Sequence, residues 1–375
     1  MRAPVKVLVV DDSALMRKLI PQLLQDDPSI QVVGTAMDGL LGLKKIGELH
    51  PDVVTLDLEM PRMDGLDMLR EIVRQYSIPV IVVSSHTSKG AYSALNALSL
   101  GAFDFVAKPT DSPKGGLEQI AGELAVKIKV AAISGPPKLT FQYRTPPPGV
   151  SSQTTPKPQH EEEQRPSRVV AIGISTGGPN ALHYLCSQIQ ADFTGAIVIV
   201  QHMPEGFTGM FARRLNDCSP IHVTEALSGD VLRPGRAYVC PGNRHMKIRR
   251  TPAGDVIVLV DQAPVNGHRP SVDVLFRSVA QELGKEGAAV IMTGMGDDGK
   301  EGIGAIHHAG GMTIAQSLDT CVVDSMPRSA IEAGYIHRTV PLEALPGVLQ
   351  VFCQDDSSRP RAFRSELETI RGGRR

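Results

Sequence analysis

The sequence predicts an α/β protein in two parts, each an open sheet of parallel strands covered by helices and joined to the other by a proline-rich tether. Three observations predict it. Short, nearly continuous apolar runs alternate with helix-period stretches, first over residues 5–130 and again after residue 168. Between the two arrays, residues 134–167 are dense in proline and poor in apolar side chains. In both arrays, the polar residues with chemical potential follow the ends of the apolar runs, where open α/β sheets place their sites.

In the first array, Lys6-Val7-Leu8-Val9-Val10 reads as a buried central strand, ended by Asp11-Asp12-Ser13. Ser13 can cap a helix over residues 14–25, which Pro21 is expected to kink or break. Residues 30–36, 53–57, 80–84 and 103–106 supply four more strands. Helix-period stretches at 40–49, 66–75, 92–100 and 117–130 fall between and after them. Strict alternation implies a five-stranded, doubly wound parallel sheet over residues 1–133.

Its strand ends carry Asp11 and Asp12, then Asp57, Ser84 and Lys108. Singly, such acids are turn or cap residues and such a lysine is solvated. Three carboxylates on one edge repel one another unless a cation joins them, and an oxygen-only ligand set suits Mg²⁺. A metal there would neutralise phosphoryl oxygens and leave Asp57 to attack phosphorus, with Lys108, held by Pro109, and Ser84 gripping the transferred group.

These residues resemble the receiver domain of two-component response regulators. The matching pieces are Val-Asp-Asp-Ser at 10–13, Asp57 with Glu59-Met60-Pro61 and Asp64-Gly65, Ser84, and Lys108-Pro109. The resemblance implies a flavodoxin-like fold, phosphorylation of Asp57, and switching through Ser84. It also implies Mg²⁺ bound by Asp12, Asp57 and the Glu59 carbonyl, with Asp11 completing the acidic set.

Composition narrows the remaining classes. A net charge of -1 gives no general attraction to nucleic acid or an anionic membrane. No apolar run nears the roughly 20 residues of a membrane span, so no membrane insertion is expected. Met1-Arg2-Ala3-Pro4 leads directly into a strand and does not read as a signal peptide. The five cysteines are scattered, without CxxC spacing, and suit free thiols in a reducing, cytoplasmic location. The tether, with Pro146-Pro147-Pro148 and the run Glu161-Glu162-Glu163, is expected to be extended and partly stiff.

The second array, residues 168–353, opens with the β-branched strand 169–174 and turns at Ser175-Thr176-Gly177-Gly178-Pro179 into a helix over 178–188. A serine on such a turn suits either a nucleophile or a phosphate cradle. Strand 196–200 ends in Gln201-His202-Met203-Pro204, and a helix follows at 207–215. Short alternating segments at 221–224, 237–239, 246–249 and 256–260 read as hairpin material beside the main sheet. Helix 272–283, strand 288–292, loop 293–299, helix 302–309, strand 312–315 and helix 327–333 complete a Rossmann-like, mostly parallel sheet.

Strand ends again supply the chemistry: Ser175, His202 and the pair Asp297-Asp298. Each alone has an ordinary structural reading, but together they favour a hydrolytic triad. Gly173-Ile174-Ser175-Thr176-Gly177 also fits the Gly-x-Ser-x-Gly elbow of α/β-hydrolases. The order serine, histidine, aspartate excludes that family. No lysine in the turn supports a P-loop, and the histidines at 202, 222, 245, 268, 307 and 308 lack ligand spacing, so no cofactor is expected for hydrolysis.

Receiver, tether and Gly-x-Ser-Thr-Gly-Gly domain together resemble the bacterial chemotaxis response-regulator protein-glutamate methylesterases. The likeness also rests on Gln201-His202-Met203-Pro204, Arg269-Pro270-Ser271-Val272-Asp273, Thr293-Gly294-Met295-Gly296 and Cys321-Val322-Val323 with Met326-Pro327. It implies Ser175, His202 and Asp298 as catalytic, Asp297 as the variable neighbour, and an oxyanion site at the Met295 amide with help from Thr176. It implies methyl-accepting chemotaxis receptors as protein substrate, glutamine deamidation by the same route, and a chemotaxis histidine kinase as phosphodonor. It further implies that the unphosphorylated receiver covers the active-site face. The arginine-rich tail, residues 354–375, has no counterpart in these expectations.

Overall fold

A computed structural model of the chain describes residues 3–85, 87–108, 115–136 and 165–354. Pro109, most of the tether (137–164) and the tail beyond Gln354 lie outside the described residues. The chain divides into two compact units, Met1–Arg144 and Thr145–Arg375, and the division falls inside the tether.

The first unit alternates β1 (Val5–Val10), α1 (Ala14–Leu24), β2 (Ile30–Ala36), α2 (Gly39–Leu49), β3 (Val53–Leu56), α3 (Gly65–Gln75), β4 (Val80–Ser84), α4 (Ser88–Leu100), β5 (Asp104–Ala107) and α5 (Gly115–Ser134). Its five strands pair in parallel in the order β2-β1-β3-β4-β5, the doubly wound topology expected. The order reverses between β1 and β3, which puts the ends of those two strands side by side. Ser13 caps α1, its side chain accepting from the Met16 amide. The helix does not break at Pro21: it runs on to Leu24, at the loss of the N–H that would have reached the Arg17 carbonyl.

The second unit comprises β6 (Val169–Ile174), α6 (Gly178–Gln188), β7 (Ala196–Gln201), α7 (Thr208–Cys218), β8 (His222–Glu225), β9 (Arg236–Val239), β10 (His245–Thr251), β11 (Gly254–Val260), α8 (Val272–Leu283), β12 (Gly287–Ile291), α9 (Lys300–His308), β13 (Met312–Gln316), α10 (Ser325–Glu332), β14 (Arg338–Val340) and α11 (Leu345–Cys353). Seven strands pair in parallel in the order β14-β13-β12-β6-β7-β9-β8.

Two expectations need correcting here. Of the four segments expected as hairpin material, only β10 and β11 pair antiparallel, as a separate two-stranded ribbon. β8 and β9 are instead parallel members of the main sheet, because residues 226–235 are long enough to cross back before β9 begins. That connection runs against β11, with Gly229 and Leu232 donating to the Ile257 and Asp255 carbonyls and Asp230 accepting from the Ile257 amide. The closing strand β14 and helix α11 were not anticipated from the sequence.

β6 lies at the centre of the second sheet and is buried along its whole length. Gly173, near its end, has no side chain for a reason. A Cβ there would stand 2.2 Å from Val272 Cγ1, so only glycine lets the first turn of α8 pack over the strand end. That close approach brings α8 to the site.

Candidate active site

Ser175 follows β6, and His202 follows the adjacent β7, so the parallel pairing sets their backbones next to each other; the His202 amide donates to the Ile174 carbonyl at 3.2 Å. Gly177, with φ +78°, makes the turn into α6 that L side chains disfavour, and Gly178 donates to the Ser175 carbonyl at 2.8 Å. The buried side chain of Gln201 braces both residues, its Nε2 donating to the carbonyls of Ser175 (3.0 Å) and His202 (3.1 Å). Across the strand end, a Cβ on Gly294 would come within 2.9 Å of Ser175 Cβ and 2.2 Å of Met326 Sδ, so the loop after β12 reaches the serine only as glycine.

His202 Nε2 lies 2.9 Å from Asp298 Oδ2. A carboxylate can only accept, so Nε2 carries the proton and Nδ1 holds the lone pair. Among the described residues, that Nδ1 is buried with no hydrogen-bond partner. An imidazole fixed in this tautomer presents Nδ1, not Nε2, as its basic atom.

Asp298 is 1% exposed, whereas its neighbour Asp297 is exposed. The buried carboxylate is held by the first turn of α8. Oδ2 accepts from the Val272 amide (2.7 Å), and Oδ1 accepts from the Ser271 hydroxyl (2.8 Å) and the Asp273 amide (3.2 Å). These are amides that a helix leaves without internal partners, at its positive end. Burial alone would raise the Asp298 pKa, but the His202 hydrogen bond and charge, the Val272 amide and the Ser271 hydroxyl outweigh it and hold the group down to about 2.

The arrangement is reciprocal. Asp273, in the first turn of α8, accepts from the Gly302 amide in the first turn of α9 at 2.7 Å. Asp298, just before α9, serves α8 in the same way, so each helix is capped by the carboxylate of the other segment. Burial, with the charge of Asp298 adding to it, raises the Asp273 pKa despite its bonds to Gly302 and Asn266.

At the expected oxyanion site, Thr176 is buried, and Thr293 Oγ1 lies 3.0 Å from its carbonyl while accepting from the Val322 and Val323 amides. Among the described residues, no acceptor takes the Met295 amide. It is thus open to a developing oxyanion.

In the first unit, Asp11, Asp12 and Asp57 offer ligand oxygens within 4.8 Å of one another. Lys108 Nζ sits 2.6 Å from Asp57 Oδ2 and 3.1 Å from Asp11 Oδ2. Asp11 Oδ2 is nevertheless buried without a properly directed hydrogen bond, and Asp12 is exposed. A buried, under-satisfied carboxylate oxygen facing two further carboxylates fits an oxygen-ligated divalent cation such as Mg²⁺. Burial raises the Asp57 pKa, with Lys108 only partly opposing it; Asp11 is raised for the same reason.

Two further expected members of this site have partners of their own. The Ser84 hydroxyl donates to the Gly90 carbonyl at 2.9 Å, and the Glu59 carboxylate lies 3.5 Å from Lys89, while the Glu59 amide reaches Asp57 Oδ1 at 3.3 Å. Gly65 is required beneath it, since a Cβ there would fall 2.2 Å from the Asp57 carbonyl.

Fold and sites together define a two-unit α/β protein with an acidic, phosphoryl-acceptor type of edge on one sheet and a serine–histidine–aspartate edge on the other. The sequence matches the family model of the response regulator receiver domain over residues 7–116 and that of the CheB methylesterase over residues 170–349. It is 58% identical over 370 residues to protein-glutamate methylesterase/protein-glutamine glutaminase 2 of Koribacter versatilis, covering 96% of this chain and 99% of the relative. It is 45% identical to the protein-glutamate methylesterase/protein-glutamine glutaminase of Symbiobacterium thermophilum, over 91% of this chain and 95% of the relative. Among solved structures, the CheB methylesterase catalytic domain of Thermotoga maritima is 38% identical, covers 49% of this chain and 97% of its own length, and has a TM-score of 0.48. The chain belongs to the family of protein-glutamate methylesterase/protein-glutamine glutaminases.

Proposed function

We propose that this chain hydrolyses glutamyl γ-methyl esters, and deamidates particular glutamines, on methyl-accepting chemotaxis receptors, under control of phosphorylation at Asp57. The observation that carries the reading is the His202–Asp298 pair, whose tautomer leaves a buried Nδ1, unpartnered among the described residues, at the strand end next to Ser175.

In this reading, His202 Nδ1 takes the Ser175 proton as the oxygen attacks the ester carbonyl. Asp298 holds the ring and stabilises the imidazolium. The oxyanion is met by the Met295 amide, with Thr176 beside it, such donors contributing about 10²–10³ in rate each. Collapse returns the proton to the leaving methoxide, methanol departs, and water repeats the steps on the glutamyl-serine ester to free the carboxylate and the serine. With a glutamine, ammonia leaves in place of methanol.

In the first unit, Asp11, Asp12, Asp57 and the Glu59 carbonyl would hold Mg²⁺, which when bound neutralises phosphoryl oxygens. Asp57 accepts the phosphoryl group from a chemotaxis histidine kinase, Lys108 pairs with its oxygens, and Ser84 leaves Gly90 to reach it. Replacing Ser175 with alanine should abolish methanol release from methylated receptor membranes while the protein stays folded. Release at the normal rate would remove Ser175 from the mechanism.

A further inference from the structure

One short turn reaches both the base and the acid of the site. Residues 265–268 read Val-Asn-Gly-His, and the Val265 and His268 amides donate to each other's carbonyls at 3.0 and 2.9 Å. Asn266 and Gly267 both have positive φ, +53° and +77°, the pattern of a two-residue type I′ turn, in which asparagine-glycine is the favoured pair. The turn directs two side chains at the site. Asn266 Nδ2 donates to Asp298 Oδ1 at 3.2 Å and to Asp273 Oδ2 at 3.0 Å, lying between two buried carboxylates. The His268 ring stacks on His202 with centroids 3.9 Å apart and planes 5° apart.

Each contact has a clear physical task. Two buried carboxylates repel, and an amide N–H₂ between them offers a proton to each without adding charge. A ring stacked face to face limits the tilt of His202, while Asp298 limits its rotation. We propose that this turn is the positioning element of the active site, with Asn266 and His268 as positioning residues that act through Asp298 and His202. The inference rests on the triad reading above and deepens it.

The groups facing Asp298 and His202 are His268 from the turn, Asp273 from α8 with Arg277 at 3.4 Å from it, and His245 from β10, whose Nδ1 accepts from the Ser271 amide. Converting Asn266 to aspartate adds a third carboxylate to this set. A nearby negative charge favours the protonated form of an imidazole, so the acidic limb of the rate should move to higher pH.

The test is the pH profile of methanol release by the full-length protein on methylated receptor membranes. For Asn266→Asp we expect the acidic limb of kcat/KM to shift upward by about one pH unit, with kcat falling roughly ten-fold or more at neutral pH and KM little changed. His268→Phe keeps a stacking face and His268→Ala does not, so the phenylalanine variant should exceed the alanine variant about ten-fold in kcat. A limb at the original pH in Asn266→Asp would overturn the proposal. So would equal rates in the two His268 variants, which decide the matter on their own if Asn266→Asp does not fold. Ser175→Ala run alongside separates the two readings. If that variant is inactive and the turn variants behave as the unaltered protein, only the turn proposal falls. If Ser175→Ala is active, the triad reading falls first.

Discussion

Asp57 and Asp298 occupy equivalent places in two parallel sheets, one directly after β3 and the other in the loop after β12, and both are almost fully buried. Their surroundings push them in opposite directions. Asp57 is raised by burial, and its compensation comes mainly from one flexible lysine, with the Glu59 amide adding a smaller part. Asp298 feels the same burial, yet His202, the Val272 amide and the Ser271 hydroxyl bring it down to about 2. A lysine can leave one oxygen for another, whereas helix amides cannot move. In the proposed function, the contrast separates a carboxylate kept available for modification from one kept as a permanent anion.

The largest expected effect tests that separation directly. Asp298→Asn should lower kcat/KM by about 10³–10⁴, because the amide no longer fixes the tautomer or stabilises the imidazolium. Asp57→Asn should retain the unstimulated rate and lose only stimulation by a small-molecule phosphodonor. Both are read by methanol release with and without the donor, and similar behaviour of the two variants would erase the distinction.

Stability against pH sharpens it next. The folded pKa of Asp298 is depressed from 3.8 to about 2, so its contribution is present above pH 4 and is lost as the pH falls through about 2. It is on the order of 2 kcal/mol at neutral pH. Asp57 is raised, so its contribution is present below about pH 4 and is lost as the pH rises through the folded value. Calorimetric unfolding should therefore show Asp298→Asn destabilising its unit at pH 7 by about 2 kcal/mol, and Asp57→Asn shifting its unit in the opposite, stabilising direction. The reverse order would contradict the two environments. The smallest effect is expected at the exposed Asp297, where asparagine should change kcat/KM by less than about two-fold.

Much of this contrast could be read from the chain. The strand runs end in residues that the structure brings together, because side chains beyond a parallel strand have few other places to point, and chain order distinguishes His202 and Asp298 from the hydrolase arrangement. The supports of Asp298 were not legible. Val272 and Asp273 contribute backbone amides, which leave no mark in residue type, and Ser271 and Asn266 are common residues whose importance lies in what they face. Asn266-Gly267 did carry a turn signal, but a turn signal does not say what it aims at. The hairpin reading of β8 and β9 failed for a related reason. Period-two alternation reports a half-buried strand and is silent on direction, which the crossing of residues 226–235 decides. β14 has three residues, too few for any period to emerge.

The exchanged caps of α8 and α9 have a consequence outside the reaction. The carboxylate that steadies His202 also closes the first turn of α8, while Asp273 closes the first turn of α9. Protonating or removing Asp298 therefore frays a helix end as well as slowing the proposed hydrolysis. The amides of Val272 and Asp273 become a built-in electrometer: their hydrogen-exchange rates register the charge of Asp298 without any substrate present.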